Sequence, residues 1–158
     1  MVFAEGVIHD VVVREIRRFD DSRGWLTELF RSDELDPAVM PVMSYISMTR
    51  PGIARGPHEH RDQTDYFCFV GPSTFRVYLW DGRKDSPTSG VKQVVDGGEG
   101  KPLLVIVPPG IVHAYRNMGG VDGLVFNAPN RLYAGDGKKD PVDEIRHEEI
   151  VDSPYLMD

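Results

Sequence analysis

The chain has 158 residues, 41% of them hydrophobic and 27% charged, with a net charge of −7. That length fits one domain able to bury roughly 70% of its unfolded surface without disulfide or metal staples, and the composition excludes disorder. The acidic balance excludes a phosphate-tracking nucleic-acid surface, and no apolar stretch approaches the roughly 18 residues of a membrane span.

In chain order, the start Met1-Val2-Phe3-Ala4-Glu5 has no signal-peptide pattern. The single cysteine, Cys68, precludes an internal disulfide. Both point to a cytoplasmic protein. Short apolar runs bounded by Gly, Pro and Asp then predict strands at 7–13, 25–30, 42–49, 65–70, 75–80, 91–95, 103–107, 111–115 and 123–128. Two segments predict helices. Ser32–Val39 opens on a Ser cap with an acidic first turn, and Asp140–Ile150 opens on Asp140-Pro141. This many evenly spaced strands predict an all-β sandwich or barrel, a double-stranded jelly roll with a few short helices. One domain is expected over 1–158: N-terminal strands over 1–50, a core barrel over 51–130 and a charged tail over 131–158.

Two polar clusters carry chemistry. The first runs from Gly52 to Asp65 and contains Arg55-Gly56-Pro57-His58-Glu59-His60. Residues two apart on a strand share a face, so His58 and His60 converge on one centre. The second is Pro108-Pro109-Gly110-Ile111-Val112-His113-Ala114-Tyr115-Arg116-Asn117. The two stretches resemble the two cupin motifs, with Asp65 where cupins usually carry Glu. The resemblance implies a jelly roll with a divalent transition metal (Zn, Fe, Mn or Ni) in its mouth, held by His58, His60, Asp65 and His113; these donor types suit any of those ions. The alternative is that the first histidines are hydrogen-bonded or catalytic and no metal binds.

A second resemblance is more extensive. Asp21-Ser22-Arg23-Gly24-Trp25-Leu26-Thr27-Glu28-Leu29-Phe30 is similar to the D-x-R-G-x-x-x-E-x-F strand of the dTDP-4-dehydrorhamnose 3,5-epimerase family. Arg55-Gly56-Pro57-His58 resembles its R-G-x-H motif, Ser86-Pro87-Thr88-Ser89-Gly90 its S-P-T-x-G turn, and Pro108–His113 its P-x-G-x-x-H element. That family is built on the cupin jelly roll. The resemblance implies an epimerase or isomerase of a nucleotide-linked 4-keto-sugar, resembling a dTDP-4-keto-6-deoxyhexose. It would remove and return a proton next to the ketone and require no cofactor. His58 matches the family base, and Asp140 is the candidate for its orienting carboxylate. Arg55 would steady the sugar or its oxyanion. Arg23 would bind diphosphate, while Glu28 would accept hydrogen bonds, and Tyr133 is a further candidate for contact with substrate. A homodimer through exchanged N-terminal strands is implied; no membrane or nucleic-acid polymer is expected as a partner.

Three positions depart from the family. Phe126 stands where it carries its acid Tyr, Asp65-Tyr66-Phe67 where it carries a basic residue, and His60 where it carries Gln. A phenyl ring has no proton to donate, so Tyr66, Tyr115 and Tyr133 become candidate substitutes, with ordinary packing as the alternative for each. The departures keep two other readings open: a metal-dependent cupin enzyme, and a non-catalytic sugar-nucleotide-binding homologue. Trp25 and Trp80 are expected in the core, His9 and His147 at the surface, and Asp143-Glu144 with Glu148-Glu149 on a solvated face.

Overall fold

In the computed structural model, which describes residues 2–158, the regular segments are strands and three short 3-10 turns. The strands are β1 (Ala4–Glu5), β2 (Val12–Glu15), β3 (Arg18–Asp21), β4 (Gly24–Thr27), β5 (Tyr45–Thr49), β6 (Ala54–Glu59), β7 (Asp65–Phe69), β8 (Thr74–Asp81), β9 (Val91–Gly98), β10 (Leu103–Val107), β11 (Ile111–Asn117), β12 (Gly123–Asn127) and β13 (Ile145–Arg146). One sheet runs β1-β9-β8-β11-β6-β13, the second β2-β10-β7-β12-β5, and β3-β4 form a separate hairpin. Four antiparallel pairs nest around the β8–β9 connection: β8 with β9, β7 with β10, β6 with β11, and β5 with β12. Successive pairs alternate between the two sheets, which is the winding of a jelly roll.

The main core lies between the sheets, where Phe67, Phe69, Phe75, Val105, Ile111 and Tyr115 meet. Both outer faces are also covered. Tyr66, Cys68, Leu104 and Ile106 pack under Leu29, Leu35 and Phe126 on one side. On the other, Tyr78, Trp80, Val112 and Ala114 lie under Phe3, Tyr155 and Met157 from the two ends of the chain. Strands covered on both faces read as continuous apolar runs, and β10, Leu103-Leu104-Val105-Ile106-Val107, is buried at every position.

Several expectations are corrected. Neither predicted helix forms. Over 32–39 the chain makes only a 3-10 turn at Pro37–Val39, where the Asp36 carboxylate caps the Ala38 N–H. Over 140–150 the backbone adds β13 to the edge of β6 and then makes a 3-10 turn at His147–Glu149. An isolated helix of that length with a weak apolar face is marginal, whereas β13 pairs with and covers the open edge of β6. Trp80 is buried as expected, but Trp25 is 47% exposed because the β3–β4 hairpin has no sheet against it. His9 is exposed beside Asp10, whereas His147 is partly buried and bonded to Glu59 at 2.9 Å. Among the described residues no helix is long and apolar enough to cross a membrane.

Candidate active site

A cleft of about 1230 Å³ opens between the ends of the two sheets. Its histidine wall is built by β6 and β11, and a bulge makes it possible. His58 pairs with His113 and Arg55 with Tyr115, so Gly56-Pro57 stands opposite the single residue Ala114. In a regular strand residues 55 and 58 would face opposite ways; the extra residue turns both into the cleft. Gly56 has φ +83°, and a Cβ there would lie 2.6 Å from the His113 carbonyl oxygen, so the bulge requires glycine. Arg55 is held at the rim by Nε to Thr49 Oγ1 (3.0 Å) and Nη2 to the Met48 carbonyl (2.8 Å), leaving donors to spare. The His58 Nδ1 faces Glu144 Oε1 at 4.0 Å. Burial and the adjacent His113 and His60 push the His58 pKa down to about 2, so its ring is neutral at neutral pH and its lone pair is unprotonated.

Behind His58 lies a tighter group. His113 Nδ1–H donates to the Ile111 carbonyl at 3.0 Å, and His60 Nδ1 bonds the Asp143 carbonyl. Each ring therefore turns Nε2 inward, and both Nε2 atoms lie 3.1 Å from the same Asp65 Oδ2. The other oxygen, Asp65 Oδ1, accepts from Gln63 Nε2 (2.8 Å) and Asn127 Nδ2 (2.9 Å). Burial draws the Asp65 carboxyl upward in pKa, but the His113 and His60 imidazoles outweigh it and hold the group well below the usual carboxylate range. His60 moves the other way: burial lowers it, while Asp65 and the Asp143 carbonyl raise it to about 9. Asp65 Oδ2 and His113 Nε2 are both buried without a hydrogen bond. Acceptor atoms converging in this way call for a positive charge between them, either a proton on His60 or a metal ion. The four ligand atoms of His58, His60, Asp65 and His113 all lie within 4.8 Å of one another.

Of the residues expected at the site, the cleft gathers His58, His60, Arg55, Tyr133 and Asp140 along its lining, with Asp65 and His113 behind. Asp140 folds back over Gly135, where a Cβ would lie 1.8 Å from its Oδ2, and the carboxylate beside His58 is Glu144. Arg23 and Glu28 are elsewhere. Arg23 is 87% exposed at the hairpin tip, bound to Asp21, and Glu28 pairs with Arg31. The stretch Asp143-Glu144 is no solvated face: the Asp143 carboxylate caps the backbone N–H groups of Arg61, Asp62 and Gln63. Phe126 packs on the outer face of its sheet with Tyr66 and Cys68, so it does not stand at an acid's place in the cleft. The inward residue is its neighbour Asn127, which donates to the Tyr45 hydroxyl at 2.8 Å. Tyr66 spends its own hydroxyl on the Leu29 carbonyl, away from the cleft. Sequence reasoning missed Tyr45 and Glu144; the only signal for Tyr45 was its alternation with Ser47 along a predicted strand. Burial pushes the Tyr45 phenol up to about 12, so it carries its proton at neutral pH.

Comparison with known proteins gives one consistent answer. A family profile described as dTDP-4-dehydrorhamnose 3,5-epimerase matches residues 5–136. The chain is 40% identical over 128 residues to the probable low-salt glycan biosynthesis epimerase Agl13 of Haloferax volcanii, covering 80% of this chain and 81% of that protein. Among solved structures it resembles a dTDP sugar isomerase from Desulfovibrio desulfuricans, with TM-score 0.77 and 23% identity over 94% of this chain and 88% of that one. It also resembles ChmJ, a 3'-monoepimerase from Streptomyces bikiniensis solved with dTDP-quinovose, with TM-score 0.75 and 20% identity over 90% and 72% of the two chains. At those identities the structural likeness speaks for the fold.

Proposed function

The chain belongs to the dTDP-4-dehydrorhamnose 3,5-epimerase family of sugar-nucleotide epimerases, and we propose that it inverts a carbon next to the ketone of a nucleotide-linked 4-keto-sugar. The observation that carries the reading is a neutral imidazole, His58, aimed into a cleft beside Arg55. The substrate ketone acidifies the adjacent C–H. His58 takes that proton, and Arg55, with donors unspent, steadies the oxygen on which charge develops. Glu144 holds the resulting imidazolium, the part that sequence reasoning gave to Asp140. This chemistry needs no cofactor. The test is incubation with a dTDP-4-keto-6-deoxyhexose in D₂O: deuterium entering the sugar carbon beside the ketone supports the reading, and binding without exchange supports the non-catalytic homologue instead.

The enzyme is read as a homodimer. Arg23 and Glu28 lie outside the cleft of their own chain, and Ile46, Met48 and Leu124 expose an apolar strip along the sheet edge at β5. A second copy seated on that strip would cover it, and Arg23 would then meet the nucleotide diphosphate of the partner's cleft.

The unpaired Asp65 Oδ2 and His113 Nε2 favour a second reading, in which a divalent transition metal is the missing positive charge. The donor set fits. Two imidazole nitrogens and a carboxylate oxygen suit such an ion, the rings are oriented through Nδ1 by backbone carbonyls as metal ligands usually are, and separations of 3.1 Å match neighbouring ligands that are each about 2.1 Å from one ion. His60, Asp65 and His113 would hold it, with His58 at its cleft side. When bound, it would supply Lewis-acid stabilisation to an enolate oxygen.

A further inference from the structure

Inversion removes a proton from one face of a carbon and returns one to the other, and His58 supplies one of these two transfers. The chain has six tyrosines, and their hydroxyls sort by position. Tyr66 is bonded to the Leu29 carbonyl and Tyr78 to the Asp158 carbonyl, both on outer faces. Tyr155 packs on Trp80. Three line the cleft: Tyr45, Tyr115 and Tyr133.

These three differ in which wall they occupy and what holds them. Tyr115 is on β11, the same sheet as His58, and its hydroxyl is shared with Ser47 Oγ at 2.9 Å. Tyr133 is 56% exposed on the loop after β12, and no hydrogen bond orients its hydroxyl among the described residues. Tyr45 is on β5, in the sheet that faces the His58 sheet across the cleft. Its hydroxyl oxygen accepts from Asn127 Nδ2 at 2.8 Å. The Asn127 amide cannot be flipped without loss, because its Oδ1 accepts the Tyr66 backbone N–H at 3.0 Å. Tyr45 oxygen is therefore held as an acceptor, and the phenolic proton is left pointing free.

We propose that Tyr45 is the catalytic acid that returns the proton on the face opposite His58. The inference rests on the epimerase reading above. In the step, the sugar C–H bond breaks, its electron pair enters the enolate, and His58 Nε2 or Nδ1 takes the proton. The Tyr45 O–H bond then breaks as a new C–H bond forms on the other face, and the enolate collapses to the ketone. The Tyr45 phenolate regains a proton from water, which its half-exposed ring reaches, and the His58 imidazolium releases one.

The test separates exchange from inversion. With a dTDP-4-keto-6-deoxyhexose in D₂O, Tyr45→Phe should keep deuterium exchange within a few-fold of wild type and lose inverted product by at least ~100-fold. Tyr115→Phe and Tyr133→Phe, whatever they do to binding, should leave the ratio of inverted product to exchange at the wild-type value. Tyr45→Phe that still inverts at the wild-type ratio overturns the assignment. So does a folded Tyr45→Phe, judged by an unchanged melting curve, that loses exchange and inversion together, since that marks a binding role. Wild-type protein without any exchange overturns the epimerase reading itself, and the assignment with it.

Discussion

His113 Nε2 and Asp65 Oδ2 face each other at 3.1 Å, both buried and neither hydrogen-bonded. Two lone pairs so placed repel unless a positive charge offsets them, either a proton on His60, whose Nε2 lies 3.1 Å from the same Asp65 Oδ2, or a metal ion. If that charge is a metal ion, chelator-stripped protein should gain stability on adding Zn²⁺ or Mn²⁺. At about 100 times its dissociation constant the ion would contribute ~2.7 kcal/mol, a rise of roughly 5–10 °C in Tm for a chain of this size. Asp65→Ala should abolish the rise. Identical melting with and without either ion in the wild type would leave the proton on His60 as the charge.

His58 is the residue on which the epimerase reading depends. His58→Ala should lower turnover by at least ~100-fold, and deuterium exchange into substrate should fall with it, because the variant cannot form the enolate. Exchange at the wild-type rate in this variant would assign the base elsewhere.

The trans arrangement of Arg23 can be read by complementation. Arg23→Ala and His58→Ala should each be inactive alone. Co-expressed, they form heterodimers in which one of the two sites is intact, restoring activity on the order of a quarter of wild type. No recovery beyond either variant would place Arg23 on its own chain's cleft or nowhere near one. A nucleoside diphosphate should also bind more tightly than its nucleoside, with the difference lost in Arg23→Ala and at high salt.

The fold and half of the site were legible for identifiable reasons. β7, β8, β10 and β11 are buried on both faces, and such strands show as apolar runs whatever their register. The His58–His60 spacing and Pro108–His113 turn carry the cluster because strand alternation is local. What stayed hidden depends on register and on distant chain. The bulge at Gly56-Pro57 brings Arg55 onto the His58 face, and only the pairing with β11 shows it. Phe126 and Asn127 are adjacent, so a one-residue question of register decides which meets the cleft. Glu144 and Asp143 reach the site because β13 completes the β6 edge more than 80 residues along the chain. Trp25 has the pattern of a core strand, and nothing in its neighbours says that the hairpin carrying it stands apart.

The last prediction concerns the Ser86–Gly90 turn, a family motif that lies outside the cleft. The Asp81 side chain is fully buried at the end of β8 and accepts hydrogen bonds from Arg83 Nε and Nη2 (both 3.0 Å), Ser86 Oγ (2.6 Å) and Thr88 Oγ1 (2.7 Å). Burial alone would raise its pKa; the Arg83, Ser86 and Thr88 hydrogen bonds outweigh burial and hold it well below the usual carboxylate value. A carboxyl depressed on folding stabilises fully above its unfolded pKa, near ~3.9, and loses that stabilisation as pH falls toward the folded value. Asp81→Asn should therefore cost about 2–3 kcal/mol at pH 7, since it removes charge-assisted bonds while keeping the shape. The gap between wild type and variant should narrow steadily below about pH 4. Denaturant melts at pH 7, 5, 4 and 3 measure it. A gap that stays constant across that range would mean that Asp81 acts through shape and packing, with its charge contributing nothing to the turn.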